Sequence, residues 1–269
     1  QLVDADLIMD LTDVYDKYAT DLTKNIMTQD GPTALDSATF DGKLMAIPNT
    51  GSMMDGAPMI WLRQDWLEKY NLPEPKTMDD VFNIIETFAK NTEGGVGLAM
   101  FKDLFGGYAG LEGFFNGYHA YPNIWIKDES GNLVYGSIQP EMKQALAKLQ
   151  EMYKQGLIDK EFGVKDSGKA AEAQGAGKNG FNFGQMWNPL FPLGSSYEND
   201  KAQWKAYPLV SVDGELARPQ VTNATTQYFA VRKDVKHPEA LVKMVNKFVE
   251  IGWGESTTLE DYAKYFTSD

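Results

Sequence analysis

The residues best suited to contact a ligand are aromatic side chains set among glycines between positions 92 and 118. Glycine lets the backbone approach a ligand closely, and aromatic rings offer flat apolar faces. A sugar ring has an apolar C–H face and a belt of hydroxyls, so this composition suits a carbohydrate. The alternative is that the rings belong to the core, where aromatic residues are often buried. The aromatic residues of this segment include Phe101, Phe105, Tyr108, Phe114 and Phe115. We predict ligand contact for Phe105 and Tyr108.

The sequence lacks the common catalytic and metal-binding motifs. It has no cysteine, and neither His119 nor His237 has a patterned partner that would indicate a metal site. It has no G-x-S-x-G, no Walker loop, and no G-x-G-x-x-G after a strand. Its 38 acidic residues make an accidental glycosidase-like pair easy to find, but no local motif favours one. We therefore predict no enzyme activity, no cofactor and no metal.

Charge narrows the classes of partner. The 269 residues carry a net charge of −13. Nucleic acids and anionic membranes both require clustered Lys and Arg, so neither is expected as a partner. No apolar run approaches the ~18–20 residues of a membrane-spanning helix. The excess of acidic over basic residues fits a secreted protein with a neutral or cationic ligand.

Residues 42–82 are predicted to form a strand, an irregular loop, a second strand, a short helix and a capped helix. The apolar run 44–47 predicts a strand that Pro48 ends, and 59–62 predicts a buried strand. Thr77 is expected to cap the last helix. The apolar stripe of that helix is predicted to comprise Val81, Ile84, Ile85 and Phe88.

Further elements follow along the chain. The pattern predicts a strand over 96–100, a hairpin across 124–126 and 133–135, and a helix that begins at Pro140. Asp128, within the hairpin turn, is interpreted as a solvated turn residue rather than a calcium ligand. The helix near the end of the chain is predicted to bury Ala240, Met244 and Phe248.

Four sequence motifs together resemble one known family. The stretch GKLMAIP is followed, after ten residues, by MIWLRQDWLEKYNLPEPKTMDDV, and later by YGSIQPEMKQAL and YKQGLIDKEF. This series resembles family-1 extracellular solute-binding proteins, the carbohydrate-capturing components of bacterial ABC importers. It is most similar to the lipoprotein branch that imports oligosaccharides in Gram-positive bacteria, and more distantly similar to maltose-binding protein.

The resemblance implies an α/β fold of the two-lobe periplasmic-binding-protein type (type II), with an incomplete first lobe. Residues 1–58 and 225–269 would belong to the first lobe and 59–224 to the second. Hinge crossings would lie near 56–63 and 220–230. The chain would be the middle of a longer extracellular protein, anchored to the membrane through a lipidated N-terminus that this sequence lacks. The acidic end STTLEDYAKYFTSD is interpreted as a truncation.

The resemblance also implies a turn over the ligand. GKNGFNFGQMWNPLFPL, residues 177–193, is similar to a family strand that feeds a Trp-rich turn. Gln185 and Met186 stand where proline and the first tryptophan are usual, and methionine offers no flat face. Trp187 and Asn188 are therefore the main ligand-binding candidates.

Two further candidates come from the segments that face the cleft in the family. Asp55 lies in the loop before the crossing strand, where a carboxylate could accept hydrogen bonds from two sugar hydroxyls. The alternative for Asp55 is a turn-forming residue. Tyr228 lies on the return strand. Arg63, by contrast, is expected to pair with Asp65 or another acidic residue rather than with ligand.

The function implied is capture of an oligosaccharide in the cleft between the lobes and its delivery to ABC permease subunits, by a monomer that performs no chemical conversion. Two other classes stay open. A carbohydrate-active enzyme would show turnover and a carboxylate pair at catalytic separation. A peptide- or amino-acid-binding protein would use charged residues to hold the ends of its ligand.

Overall fold

The computed structural model describes residues 1–51, 53–221, 223–255, 258, 260, 263 and 264. The chain divides into two compact units: unit 1, formed by Gln1–Ser52 with Asn223–Asp269, and unit 2, formed by Met53–Thr222. Within the described ranges, every helix is too short or too polar to cross a membrane. The interpretation of the acidic end as a truncation falls mostly outside the described residues.

The helices and strands alternate irregularly along the chain, as in an α/β protein. The helices are α1 (Thr12–Tyr18), α2 (Asp21–Thr28), α3 (Thr33–Asp36), α4 (Gln64–Lys69), α5 (Met78–Lys90), α6 (Glu112–Asn116), α7 (Pro140–Lys154), α8 (Ser167–Gly175), α9 (Leu193–Asp200) and α10 (Glu239–Trp253). The strands are β1 (Thr39–Phe40), β2 (Lys43–Leu44), β3 (Ile47–Thr50), β4 (Met59–Arg63), β5 (Trp125–Lys127), β6 (Leu133–Tyr135), β7 (Phe181–Gly184), β8 (Trp204–Tyr207) and β9 (Thr225–Phe229).

Unit 1 is built around the antiparallel pair β3–β9, in which Ile47 lies opposite Phe229. Ile47 is buried in an apolar cluster with Leu11 and Val242. Pro48 lies inside β3, opposite Tyr228, so the prediction that it ends the strand was wrong. A two-stranded sheet leaves an edge on each strand, and proline is tolerated there because the missing N–H need not face the partner.

The buried face of α10 also differs from the prediction. Met244 and Phe248 are exposed, as is Ala240, whereas Val242 and Val249 are buried. Because α10 carries apolar residues on more than one face, periodicity alone does not determine which face packs. The neighbouring cluster around Leu11 selects the Val242 side.

Unit 2 is built on a three-stranded sheet in the order β7–β4–β8, with both outer strands antiparallel to β4. The predicted strand over 59–62 is thus confirmed. Alternate residues of this sheet are fully buried in the core, including Ile60, Leu62, Phe181 and Phe183. The same core contains the predicted stripe of α5, namely Val81, Ile84, Ile85 and Phe88.

The cap of α5 is also confirmed. Thr77 Oγ1 accepts a hydrogen bond from the Asp80 backbone N–H at 3.2 Å, and Asp80 Oδ2 accepts one from the Thr77 N–H at 2.9 Å. This reciprocal pair satisfies two backbone donors that the first turn of a helix leaves free. The helix therefore starts where its sequence predicts.

Three other predictions were tested in unit 2. The hairpin is confirmed as β5–β6, with Asp128 accepting hydrogen bonds from the Ser130 and Asn132 backbones, and α7 begins at Pro140. The predicted strand over 96–100 was wrong, because this segment forms a single isolated β-bridge, between Leu98 and Ile158, and no extended ladder within the described part of the chain. Its other backbone groups bond to loop atoms and to the Asn179 amide instead.

Candidate functional site

The segment of residues 185–192, which we call the Trp turn, follows β7. Hydrogen bonds between Asn188 and Gln185 stabilise it. The Asn188 side-chain Oδ1 accepts from the Gln185 backbone N–H at 3.2 Å, and its own backbone N–H donates to the Gln185 carbonyl at 3.1 Å. A Cβ built on Gly184 would collide with the Asn188 amide, so glycine is required there. Trp61 Nε1 also donates to the Gln185 carbonyl, at 3.2 Å. The turn is therefore a rigid support for Trp187, whose side chain is 40% exposed.

The aromatic loop (residues 101–111) meets the Trp turn through one ring contact. The Tyr108 ring lies edge-on to Phe191, with centroids 6.1 Å apart. On the other side of the loop tip, the exposed Phe105 ring lies 5.8 Å from Phe115 of α6. Unit 2 therefore brings together two segments that lie about eighty residues apart in sequence.

Most aromatic residues of this segment are buried, in agreement with the alternative interpretation of the sequence. Phe105 is exposed, whereas Tyr108 is almost fully buried and its hydroxyl has no hydrogen-bond partner within the described chain. Burial raises the pKa of Tyr108, so its hydroxyl stays protonated at neutral pH. The buried rings of the segment also include Phe101, Phe114 and Phe115.

The third segment at this place is the short 3-10 turn Met53–Gly56, which carries Asp55. Gln185 Nε2 donates to the Gly56 carbonyl at 3.4 Å, which connects this turn to the start of the Trp turn. The Asp55 side chain is exposed to solvent. Five of the six predicted site residues therefore belong to connected segments of unit 2, with Phe105, Asp55 and Trp187 exposed and Tyr108 and Asn188 buried.

Tyr228 belongs to unit 1, not to unit 2. It lies on β9, is 48% exposed, and donates from its hydroxyl to Ser37 Oγ at 2.9 Å. Its ligand contact stays a prediction, as do those of the five residues in unit 2.

Arg63 is the last residue of β4 and forms ion pairs with two aspartates. Its guanidinium donates to both carboxylate oxygens of Asp65, at 2.8 and 2.6 Å, and to Asp200 at 3.0 Å. Burial by itself would raise the pKa of Asp65, but hydrogen bonding and charge from Arg63 outweigh it and lower that pKa. The expected pairing of Arg63 with Asp65 is thus confirmed.

Two structural features of the candidate site were not anticipated. Glu112 of α6 accepts a hydrogen bond from the aromatic loop, and Gln185 connects three segments through its backbone and amide groups. Neither had a signal of its own, because one was a single acidic residue among 38 and the other stood where proline is usual.

Unit 1 has its own apolar groove, with a volume of about 370 Å³. It holds none of the predicted site residues. Its walls are almost entirely apolar, whereas a selective small-molecule site needs a few convergent polar groups. The groove is lined by residues that include Met27, Phe229, Met244, Phe248 and Trp253.

A profile described as bacterial extracellular solute-binding protein matches residues 1–251. The chain belongs to this family. Within the described parts of this solute-binding protein, no group of three or more His, Cys, Asp or Glu side chains is arranged to hold a metal ion.

Two curated relatives match parts of this solute-binding protein. The polygalacturonan/rhamnogalacturonan-binding protein YtcQ of Bacillus subtilis is 27% identical over 156 residues, which are 56% of this chain and 30% of YtcQ. The fructooligosaccharide ABC transporter substrate-binding protein FusA of Streptococcus pneumoniae is 29% identical over 173 residues, which are 58% of this chain and 31% of FusA.

The solved structures show the fold. FusA in complex with kestose superposes with a TM-score of 0.71 at 20% identity, covering 96% of this chain and 56% of that one. The chain thus spans about half the length of the solved relative that it matches. This likeness confirms the two-lobe periplasmic-binding-protein type of α/β fold that the sequence resemblance implied.

Proposed function

We propose that this chain belongs to the substrate-binding component of an ABC importer, which captures an oligosaccharide and delivers it to membrane permease subunits. Family membership supports the role of capture. The names of YtcQ and FusA, which cite polygalacturonan/rhamnogalacturonan and a fructooligosaccharide, support a carbohydrate ligand. The protein acts without chemical conversion, outside the cell, as a lipid-anchored monomer.

The observation that carries the carbohydrate assignment is the junction of the aromatic loop and the Trp turn. It presents two aromatic faces, Trp187 and Phe105, on backbone segments that buried side chains hold in place. Flat aromatic faces suit the C–H face of a sugar ring, and rigid presentation reduces the entropy lost on binding.

The six predicted residues have different roles in this proposal. Trp187 and Phe105 stack on sugar rings, and Asp55 accepts hydrogen bonds from hydroxyls. Tyr108 and Asn188 are buried and help to hold the segments that carry these two aromatic faces, and their own ligand contact stays a prediction. Ligand contact by Tyr228 of unit 1 stays a prediction. We propose that the chain crossings predicted near 56–63 and 220–230 act as hinges during ligand capture.

A thermal-unfolding panel tests the proposed function. The panel contains kestose, oligogalacturonides, monosaccharides, dipeptides and amino acids. A ligand present at about 100 times its dissociation constant stabilises the native state by ~2.7 kcal/mol. We expect a rise in Tm with one class of oligosaccharide and no product by chromatography. Shifts with dipeptides or amino acids alone, or turnover of a sugar, would refute the proposal.

Substitution of Trp187 tests the site. Its exposed 40% corresponds to roughly 100 Å² of a Trp side chain, or at most ~2.5 kcal/mol of stacking. We expect Trp187→Ala to weaken oligosaccharide binding about 10- to 60-fold. Trp125→Ala is the matched control, because Trp125 is 66% exposed but lies on the β5–β6 hairpin. Equal effects of the two variants would refute the assignment of Trp187.

A further inference from the structure

Glu112 has an unusual position for an acidic side chain. It is the first residue of α6, and its Oε1 accepts a hydrogen bond of 2.5 Å from the Gly106 backbone N–H. A Cβ built on Gly110 would collide with its other carboxylate oxygen, so both oxygens lie against the aromatic loop. Burial raises the pKa of Glu112, while backbone N–H groups, including that of Gly106, oppose the rise. Both oxygens of the carboxylate thus contact the backbone of the aromatic loop.

The bond from Glu112 closes the tip of a loop whose base is already closed. At the base, the Leu111 backbone N–H donates to the Leu104 carbonyl at 2.9 Å. At the tip, Gly106 and Gly107 have φ values of +84° and +68°, which glycine adopts readily. Glycine also has the widest choice of other conformations, so the tip needs a contact that selects this one. Neither Gly106 nor Gly107 has a side chain that could provide it.

The tip lies between the two aromatic residues of the loop. Phe105 immediately precedes Gly106, and Tyr108 immediately follows Gly107. Phe105 contacts Phe115 of α6, and Tyr108 contacts Phe191 of the Trp turn. A change in the backbone of the tip would therefore rotate the exposed Phe105 ring relative to the anchored Tyr108 ring.

We propose that Glu112 is a positioning residue for ligand binding, which holds the tip of the aromatic loop so that Phe105 faces the sugar. This inference rests on the proposed function. Glu112 acts through the Gly106 backbone and makes no ligand contact itself. A carboxylate suits this task because hydrogen bonds to an ionised acceptor are roughly twice as strong as neutral ones. Glutamine keeps an acceptor oxygen of similar reach, whereas alanine keeps none.

The experiment uses the full chain and the panel oligosaccharide with the largest thermal shift. Calorimetry gives the dissociation constant for the wild type, Glu112→Ala, Glu112→Gln and Asp103→Asn. Asp103 is the matched control, an exposed carboxylate of the same loop that makes no hydrogen bond or ion pair within the described structure. We expect about tenfold weaker binding for Glu112→Ala, about threefold weaker binding for Glu112→Gln, and no change for Asp103→Asn.

Two further readouts separate positioning from general stability. Hydrogen exchange of the Gly106 amide is expected to accelerate in Glu112→Ala, and less in Glu112→Gln. In a Phe105→Ala background, Glu112→Ala is expected to cause no further loss of affinity, because its effect passes through Phe105. If Glu112→Ala fails to fold, Glu112→Gln carries the test: faster Gly106 exchange with unchanged affinity would overturn the inference.

The outcomes distinguish this inference from the function on which it rests. Absence of binding by the wild type to every panel member would refute the proposed function, and this inference with it. Binding by the wild type that Glu112→Ala leaves unchanged would overturn the role of Glu112 alone. Additive losses in the Phe105→Ala background would do the same, since they would show that Glu112 acts elsewhere.

Discussion

Replacement of Arg63 by methionine is expected to destabilise unit 2 substantially. The Arg63 side chain is only 4% exposed, at the end of β4. It joins Asp65, in the first turn of α4, to Asp200, at the end of α9, and its guanidinium lies 4.6 Å from the Trp66 ring. Methionine fills part of the volume but leaves the two carboxylates together without a cation.

The magnitude follows from the exposure of the partners. Removing one member of a buried ion pair costs about 3–5 kcal/mol. The Asp65 and Asp200 side chains are 31% and 39% exposed, so water partly solvates them once Arg63 is gone. We therefore expect Arg63→Met to lower the free energy of unfolding by about 3 kcal/mol, near the lower limit of that range. Arg63→Lys keeps the charge but loses the planar fork, and is expected to lose about 1–2 kcal/mol.

Urea unfolding followed by tryptophan fluorescence measures these losses. The pH dependence provides a second test, since Arg63 lowers the pKa of Asp65 below its ordinary value of 3.8. A lowered pKa contributes stability above about pH 3.8 that is lost as the pH falls through the folded-state value. Arg63→Met should lack this contribution. A loss below about 1 kcal/mol for the methionine variant would refute the reasoning, because it would be typical of a surface pair.

Three other predictions concern the same unit. Thr77→Ala removes the acceptor for the Asp80 N–H and should lower the free energy of unfolding in urea by about 1 kcal/mol. Thr77→Ser should stay close to the wild type, and equal losses in the two variants would contradict the capping role. Phe183→Ala empties a fully buried site and should cost about 3–5 kcal/mol, and a loss under about 1 kcal/mol would show that the core refills. The Asp213 pKa is lowered to about 2, mainly by the His119 hydrogen bond, so His119→Ala should raise it towards 3.8 in an NMR titration. A pKa that stays near 2 would instead assign the shift to the Glu215 backbone N–H and the Ser211 hydroxyl, which also donate to Asp213.

Elements set by local signals were predictable from the sequence. Thr77 and Asp80 lie three residues apart and need only each other to cap α5, and the stripe from Val81 to Phe88 needs only helical spacing. The strand over 59–62 is apolar throughout, so burial on both faces agrees with its composition. These predictions depend on contacts within one turn or one strand.

Elements set by distant partners were not predictable in the same way. Pro48 lies within a strand because Tyr228, far along the chain, pairs opposite it. Residues 96–100 satisfy their backbone groups with Asn179 and neighbouring loops rather than with strands. Their local patterns were compatible with more than one structure, and tertiary contacts selected between them.

The candidate site shows the same division. The exposed Trp187 follows from its place in the turn that the motif predicts. Tyr108 is buried in a cluster that includes Ala170 and Ala171 of α8, and Asn188 is buried against Gly184, so sequence spacing did not reveal either. Glu112 had no local signal because its partner is a backbone N–H.

The arrangement of the two units has a consequence for biosynthesis. Unit 2 is one uninterrupted segment of the chain. In unit 1, β3 pairs with β9, which is synthesised much later. At 5–20 residues per second, the roughly 180 intervening residues take about 10–40 s. By the end of that time unit 2 has all its strands available, while Ile47 and Leu11 still lack the Val242 side of their cluster. The β3–β9 pair and the cluster around Leu11 should therefore stay incomplete for longer than the sheet of unit 2, whose strands lie closer together in sequence.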